Sequence, residues 1–284
     1  MMKLAILGTE NSHAAAFARL IRDDPDLSCF TVAGAYGYDE EANGKLAREG
    51  LVTEFGKRPD DFLGRVDGIL VTARHGDLHC EYAMPYIEKG IPAFIDKPIT
   101  VKEELADRLF SAAEKSGALV CGGSSLKFLR KLDGITDFIY GRKILGGSLS
   151  APISMVNDYA GFYFYSQHLV EMLLRVFGGG VKRLFAYCPD EKENRVTVLF
   201  DYGSFDVTAH YYAGYEYTVT VHTDGGTCSM HTYDLGDIYK RELMEYRDMV
   251  LNGRLPHSFE ELRLPGKLMR AIETSYKTGK MVEP

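Results

Sequence analysis

Lys3-Leu4-Ala5-Ile6-Leu7-Gly8-Thr9-Glu10-Asn11-Ser12-His13 is the stretch on which the fold turns. Leu4–Leu7 is apolar at every position, as a strand covered on both faces must be. A turn led by Gly8 then carries the chain into a helical pattern over Ala14–Arg22. Strand, tight turn and helix in that order open a doubly wound parallel sheet. Working outward, the alternation continues. Strand Phe30–Ala35 precedes a helical pattern at Glu40–Arg48, and Gly68–Val71 precedes a helix from Asp77 to Glu88. Ala93–Ile95 precedes a helix from about Val101 to Lys115, and Ala118–Cys121 is a further strand. Thr100-Val101-Lys102-Glu103 has the form of a capping box. Gly90 and Gly117 follow last turns that carry Lys89 and Lys115, as C-terminal caps do.

Past residue 123 the texture changes. A helix at about Phe128–Tyr140 leads through Gly146-Gly147 to a strand at Ser148–Val156, followed by an apolar helix at about Tyr165–Phe177. Strands follow at Lys182–Tyr187, Arg195–Asp201, Ser204–Tyr211, Tyr217–His222 and Thr227–His231. Asp201-Tyr202-Gly203 and Asp224-Gly225-Gly226 are hairpin signals between them. Helices near Tyr239–Asn252 and Phe259–Thr278 close the sequence. The expected fold is α/β: a Rossmann-type doubly wound parallel sheet over 1–122, then an α+β domain with a mostly antiparallel open sheet over 123–284.

With 284 residues, 45% hydrophobic and 26% charged, the chain is long enough for two cores and too apolar for disorder. The net charge of -7 has no basic run behind it, which argues against nucleic-acid or anionic-membrane partners. No apolar stretch approaches the ~18 residues of a membrane span, and the first residues read as a strand instead of a leader. The five cysteines are widely spaced with no Cys-x-x-Cys, so reduced thiols in a cytoplasmic protein are expected, with neither disulfides nor a metal site. His75 and His79 stand four apart with Asp77 between them, but they straddle a loop.

A dinucleotide fold needs a turn after its first strand that presents the next helix's N-terminus to the pyrophosphate. Here Gly8, Thr9, Glu10, Asn11, Ser12 and His13 form that turn, with Glu10 and His13 where the second and third glycines are usual. Glu10 must turn its carboxylate away from the phosphates, whereas Asn11 and Ser12 cap the helix and offer donors, and His13 adds one more. A turn that binds no phosphate is the alternative. The acid that usually accepts the adenosine-ribose hydroxyls falls near Gly37 in Ala35-Tyr36-Gly37-Tyr38-Asp39. Asp39 either substitutes for it or only caps the next helix, so NAD and NADP both stay open.

Two further segments are distinctive: Gly68-Ile69-Leu70-Val71-Thr72-Ala73-Arg74-His75-Gly76-Asp77-Leu78-His79, and Gly90-Ile91-Pro92-Ala93-Phe94-Ile95-Asp96-Lys97-Pro98. Together they resemble the glucose–fructose oxidoreductase/inositol dehydrogenase (Gfo/Idh/MocA) family, which has a Leu-His loop end and a Glu-Lys-Pro corner. Leu78-His79 and Asp96-Lys97-Pro98 stand in those places, Asp96 keeping the carboxylate. Gly123-Ser124-Ser125-Leu126-Lys127-Phe128 is similar to the family's crossing into its second domain. His168-Leu169-Val170-Glu171-Met172-Leu173-Leu174 resembles its His-x-x-Asp-Leu-Leu helix, and the closing helices are similar too.

The resemblance implies an NAD(P)-dependent oxidoreductase passing hydride between a nicotinamide and a sugar, polyol or related hydroxy compound. It implies cofactor contacts from the turn, from Gly37, from Thr72, Ala73, Arg74 and His79, and from Asp96 and Lys97. Lys97 is then catalytic and touches substrate, and His168 is the general acid/base. Many family members carry an Asp four residues before that His; here the position is Phe164, so Tyr165 supplies a hydroxyl or Lys97 acts with His168 alone. Lys127 reaches substrate or neutralises an acid. The aromatic run 162–165 and Tyr211, Tyr212, Tyr215 and Tyr217 stack on sugars, pack the sheet, or line an interface. The family commonly associates through that sheet, so a homo-oligomer, dimer or tetramer, is expected. Two other functions stay open: a glycosidase using NAD transiently, and a non-catalytic sensor or scaffold, toward which Glu10, His13 and Phe164 point.

Overall fold

In the computed structural model, which describes Met1–Pro284, β1 (Met2–Leu7) is enclosed because Leu4, Ala5, Ile6 and Leu7 are all fully buried. It pairs in parallel with β2 (Phe30–Tyr36) on one side and β3 (Gly68–Val71) on the other. β4 (Ala93–Asp96) and β5 (Val120–Gly123) extend the sheet, in the order β2-β1-β3-β4-β5. The helices α1 (Ser12–Asp23), α2 (Glu40–Arg48), α3 (Gly76–Ile87) and α4 (Glu103–Ser116) alternate with the strands. Leu4 and Ile6 join Phe17, Leu70 and Phe94 in one apolar cluster, while Ala5 and Leu7 join Ile69, Val71, Ile95 and Phe110 in another. Successive strand residues thus feed opposite faces, both covered, which is why the strands read apolar throughout. The strand order reverses at β1, so the loops after β1 and β3 flank the crevice where open α/β sheets take ligands.

The remaining elements are α5 (Arg130–Ile139), β6 (Ile144–Pro152), α6 (Tyr163–Phe177), β7 (Arg183–Tyr187), β8 (Val196–Asp201), β9 (Asp206–Tyr212), β10 (Tyr217–Thr223) and β11 (Gly226–Thr232). The six strands β6 to β11 form a second sheet in the order β11-β10-β6-β9-β8-β7, antiparallel except where β6 meets β9. The expected fold class, a parallel doubly wound sheet followed by a mostly antiparallel one, is therefore found. The Tyr211 hydroxyl donates to the Ser166 carbonyl of α6 at 3.0 Å, and Tyr211 and Tyr217 are buried while Tyr215 is 88% exposed.

The chain divides into two units, Met1–Gly123 with Tyr239–Leu262, and Ser124–Ile238 with Arg263–Pro284. α7 (Ile238–Asn252) turns Leu243, Tyr246 and Met249 into the first unit's core beside Leu4, Phe17 and Phe94. A division read along the chain at 122/123 groups this helix with the second segment instead. α8 (Phe259–Thr278) begins with Phe259 stacked on Phe110, ring centroids 5.1 Å apart.

Two local features differ from the sequence expectation. Thr100 is not a helix cap: α4 starts at Glu103 after Lys102, with no side-chain cap, and the Thr100 hydroxyl donates to the Lys102 carbonyl at 2.9 Å. β6 starts at Ile144, so Gly146 and Gly147 lie inside the strand. Glycines carry no alternation by which a sequence shows this. No helix is long and apolar enough to cross a membrane.

Candidate active site

Of the candidates drawn from the sequence, the first unit holds Gly8 to His13, Gly37, Thr72, Ala73, Arg74, His79, Asp96 and Lys97. The second holds Lys127, Tyr165 and His168.

In the first unit the turn after β1 is fixed from three sides. Gly8 has φ +103°, and a Cβ there would stand 2.2 Å from the Ala73 amide nitrogen, so only glycine fits. Its carbonyl accepts from the Thr72 hydroxyl at 2.7 Å. The Thr9 hydroxyl donates to Asn43 Oδ1 at 2.6 Å, and Asn43 Nδ2 donates to the Gly37 carbonyl at 2.9 Å, which binds the turn to α2 and the end of β2. Asn11 caps α1, accepting from the His13 amide at 3.3 Å. Ser12 is exposed as the first residue of a helix with no acid in its first turn. Asp39 caps α2, its Oδ1 accepting from the Glu41 and Ala42 amides.

The third side is Asp96, with no exposed surface, at the end of β4. Its Oδ1 accepts from the Lys97 amide at 2.7 Å. Its Oδ2 lies 2.6 Å from His13 Nδ1 and accepts from Asn11 Nδ2 at 3.1 Å. Burial alone raises a carboxyl pKa, but the His13 ring, followed by Lys97, outweighs it and holds Asp96 at about 2. The other ring nitrogen of His13 is 3.0 Å from the Tyr239 hydroxyl of α7. His13 thus fills the third glycine's place by linking the turn to β4 and α7.

Lys97 is 5% exposed and precedes a cis peptide to Pro98. Burial pushes its ammonium below the usual lysine range; Asp96 pulls it up, Arg74 pushes it further down, and Glu242 of α7 pulls it up again. His79 is fully buried, its ring between the Pro98 carbonyl at 2.8 Å and the Ala73 carbonyl at 2.7 Å. Only the doubly protonated ring donates to both, and burial, the largest influence on its pKa, opposes that charge and lowers it. In either state His79 clamps the loops after β3 and β4 together. His75 caps α3, accepting from the Asp77 amide at 3.2 Å. Glu10 reaches across the crevice, its Oε1 accepting from the Arg74 amide at 2.9 Å, while its Oε2 is buried and unpartnered.

In the second unit His168 is 6% exposed on α6, with Nδ1 2.6 Å from Ser124 Oγ. The Ser124 amide donates to Glu171 Oε1 at 2.8 Å, and Gln167 Nε2 donates to the same oxygen at 2.6 Å. Lys127 Nζ lies 3.6 Å from Glu171 Oε2, the acid-neutralising arrangement. The Tyr165 ring centroid is 5.7 Å from that of His168, and Phe162 and Tyr163 of the aromatic run are buried.

Sequence reading missed Asn43, Tyr239 and Glu242 in the first unit and Ser124 and Glu171 in the second. One signal existed: Glu242, 1% exposed, precedes Tyr246 by four residues, a carboxylate in the buried stripe of a helix.

These residues fit a dinucleotide in three respects: a glycine-tight turn, an acid-free helix N-terminus with an exposed serine, and a crevice at the switch in strand order. The class so defined is a Rossmann-type domain with a lysine corner, joined to an α+β unit. Residues 2–124 match the model of the Gfo/Idh/MocA family, described as "Oxidoreductase family, NAD-binding Rossmann fold". This bears out the resemblance and agrees with a cofactor of the NAD or NADP class.

Comparison with curated proteins gives no match. Solved structures share the fold across the whole chain. Myo-inositol 2-dehydrogenase from Lactobacillus plantarum is 13% identical with TM-score 0.86, covering 99% of each chain. A myo-inositol dehydrogenase from Corynebacterium glutamicum is 17% identical with TM-score 0.85, covering 100% of this chain and 98% of the other. GenD2 from gentamicin A biosynthesis, in complex with NAD, is 16% identical with TM-score 0.86, covering 100% and 96%.

Proposed function

We propose that the chain is an NAD(P)-dependent oxidoreductase acting on a carbon that bears a hydroxyl, in a sugar, polyol or related small molecule. The observation that carries this reading is the lysine corner: Lys97, 5% exposed, follows an acid that also grips Asn11 and His13 of the turn. When bound, the dinucleotide supplies the hydride acceptor or donor. The α1 N-terminus, with Ser12 and the turn amides, takes the pyrophosphate. The Lys97 ammonium donates to the reacting oxygen and stabilises negative charge that develops there. Its burial strengthens that interaction by excluding water. In the second unit His168 exchanges the hydroxyl proton, with Ser124 fixing its ring through Nδ1.

The named structural relatives that act on inositols support a polyol or sugar as the substrate class. The second unit's sheet supports association of copies: Phe185 and Leu199, paired in register across β7 and β8, are 36% and 37% exposed on one face, beside Tyr187 at 57%. The reading is tested by titrating protein purified without added cofactor with NADH and NADPH, following nicotinamide fluorescence. Saturable binding of at least one is expected. No binding of either at millimolar concentration overturns it and favours a sensor or scaffold, consistent with Phe164 where the family carries an acid.

A further inference from the structure

We infer that Glu10 is the acceptor for the adenosine-ribose hydroxyls of the dinucleotide, and that it makes the chain select NAD over NADP. The inference rests on the reading that the protein binds a nicotinamide dinucleotide, and it assigns a specificity-determining residue within that site.

Three observations converge on Glu10. The end of β2 cannot hold an acid: a Cβ at Gly37 would lie 1.8 Å from Thr9 Oγ1 and 2.8 Å from the Thr9 amide nitrogen. Thr9 cannot yield, because Asn43 ties its hydroxyl at 2.6 Å and the Gly37 carbonyl at 2.9 Å. Asp39, two residues on, spends one oxygen on two helix amides.

A carboxylate nonetheless stands at the switch in strand order. Glu10, on the loop after β1, takes the Arg74 amide of the loop after β3 with Oε1 and leaves Oε2 buried without a donor. A buried carboxylate oxygen without a donor is costly, and a hydroxyl is the partner that satisfies it. A phosphate oxygen is not, since it brings charge of the same sign and no proton.

Glu10 also lies toward the adenosine end of the crevice. It follows Thr9, whose hydroxyl is tied through Asn43 to the Gly37 carbonyl just past β2, so the turn that carries it stands beside the end of that strand. A 2′-phosphate placed here would face a carboxylate.

The test is calorimetric titration of the whole protein, wild type, Glu10→Ala and Glu10→Gln, with NADH, NADPH and 2′-deoxy-NADH. Wild type is expected to bind NADH at least tenfold more tightly than NADPH. Glu10→Ala should lose about tenfold for NADH, ~1.4 kcal/mol, and little for NADPH. It should also no longer distinguish NADH from the 2′-deoxy compound, a distinction that wild type makes. Glu10→Gln keeps the shape of the loop, so a partial loss there, with an unchanged melting temperature, separates lost recognition from misfolding. NADH binding by Glu10→Ala that equals or exceeds wild type overturns the inference and makes the carboxylate an obstruction. Wild-type preference for NADPH overturns it as well. Failure of the wild type to bind any dinucleotide is the distinct outcome that removes the cofactor reading and this assignment with it.

Discussion

His13 Nδ1 stands 2.6 Å from Asp96 Oδ2, with His13 8% exposed and Asp96 fully buried. The contact spans β3, since β1 and β4 are not neighbours in the sheet. It makes the turn after β1 and the Lys97 corner parts of one rigid assembly. A side chain where a third glycine is usual is therefore a link and not merely a defect.

Asp96→Asn should destabilise the protein by about 2–3 kcal/mol at pH 7, because a buried charged hydrogen bond loses its charge. The folded-state pKa of Asp96, about 2, lies below its ordinary 3.8. Its contribution is thus fully present above pH 3.8 and is lost as pH falls toward 2. Urea midpoints of wild type and variant should converge over that window; a gap that stays constant with pH would mean the charge is not what matters.

Lys97, with its pKa lowered by burial, should lose its proton below the ordinary lysine value of 10.5. If the ammonium form is the active one, kcat/KM falls as pH rises through that lowered pKa. Lys97→Arg should retain reduced activity but lack the alkaline limb, since arginine stays charged. An alkaline limb that persists unmoved in Lys97→Arg would assign it to another group.

Ser124→Ala removes the partner of His168 Nδ1 at 2.6 Å. We expect kcat to drop about tenfold with KM little changed, against the 10²–10⁴-fold loss typical when a general acid/base itself is removed, as in His168→Ala. Nitrogen-15 shifts of the His168 ring should report a changed tautomer balance. Unchanged shifts with normal kcat would leave Ser124 as a structural residue only.

Gly37→Ala should cost about 1–3 kcal/mol, as forced overpacking does, because its Cβ would enter Thr9. Thr9→Gly in the same chain should recover most of that loss. Thermal denaturation of the single and double variants reads this directly, and additive effects would contradict the contact.

The sheet was legible because fully apolar strands alternate with amphipathic helices, and Leu4–Leu7 followed by Gly8 already carries that pattern. The abnormal turn was legible too, as Glu10 and His13. Their partners were not. Asn11 and Asp96 are 85 residues apart and His13 and Tyr239 are 226 apart, distances over which sequence periodicity is silent. The stripe of Leu243, Tyr246 and Met249 announces that α7 is buried but not against which sheet. Thr100 shows the reverse failure, a local cap signal overridden when the chain leaving Pro98 turned its hydroxyl to Lys102.

Hydride transfer that depends on Lys97 is read directly in one assay. Wild type and Lys97→Ala are incubated with NAD or NADP and a panel of polyols and sugars while the reduced-nicotinamide absorbance is followed. Wild type should reduce the dinucleotide with at least one compound, and Lys97→Ala with none, although its NADH affinity stays within about tenfold, ~1.4 kcal/mol. A wild type that binds dinucleotide yet reduces it with no compound, or a fully active Lys97→Ala, would contradict it.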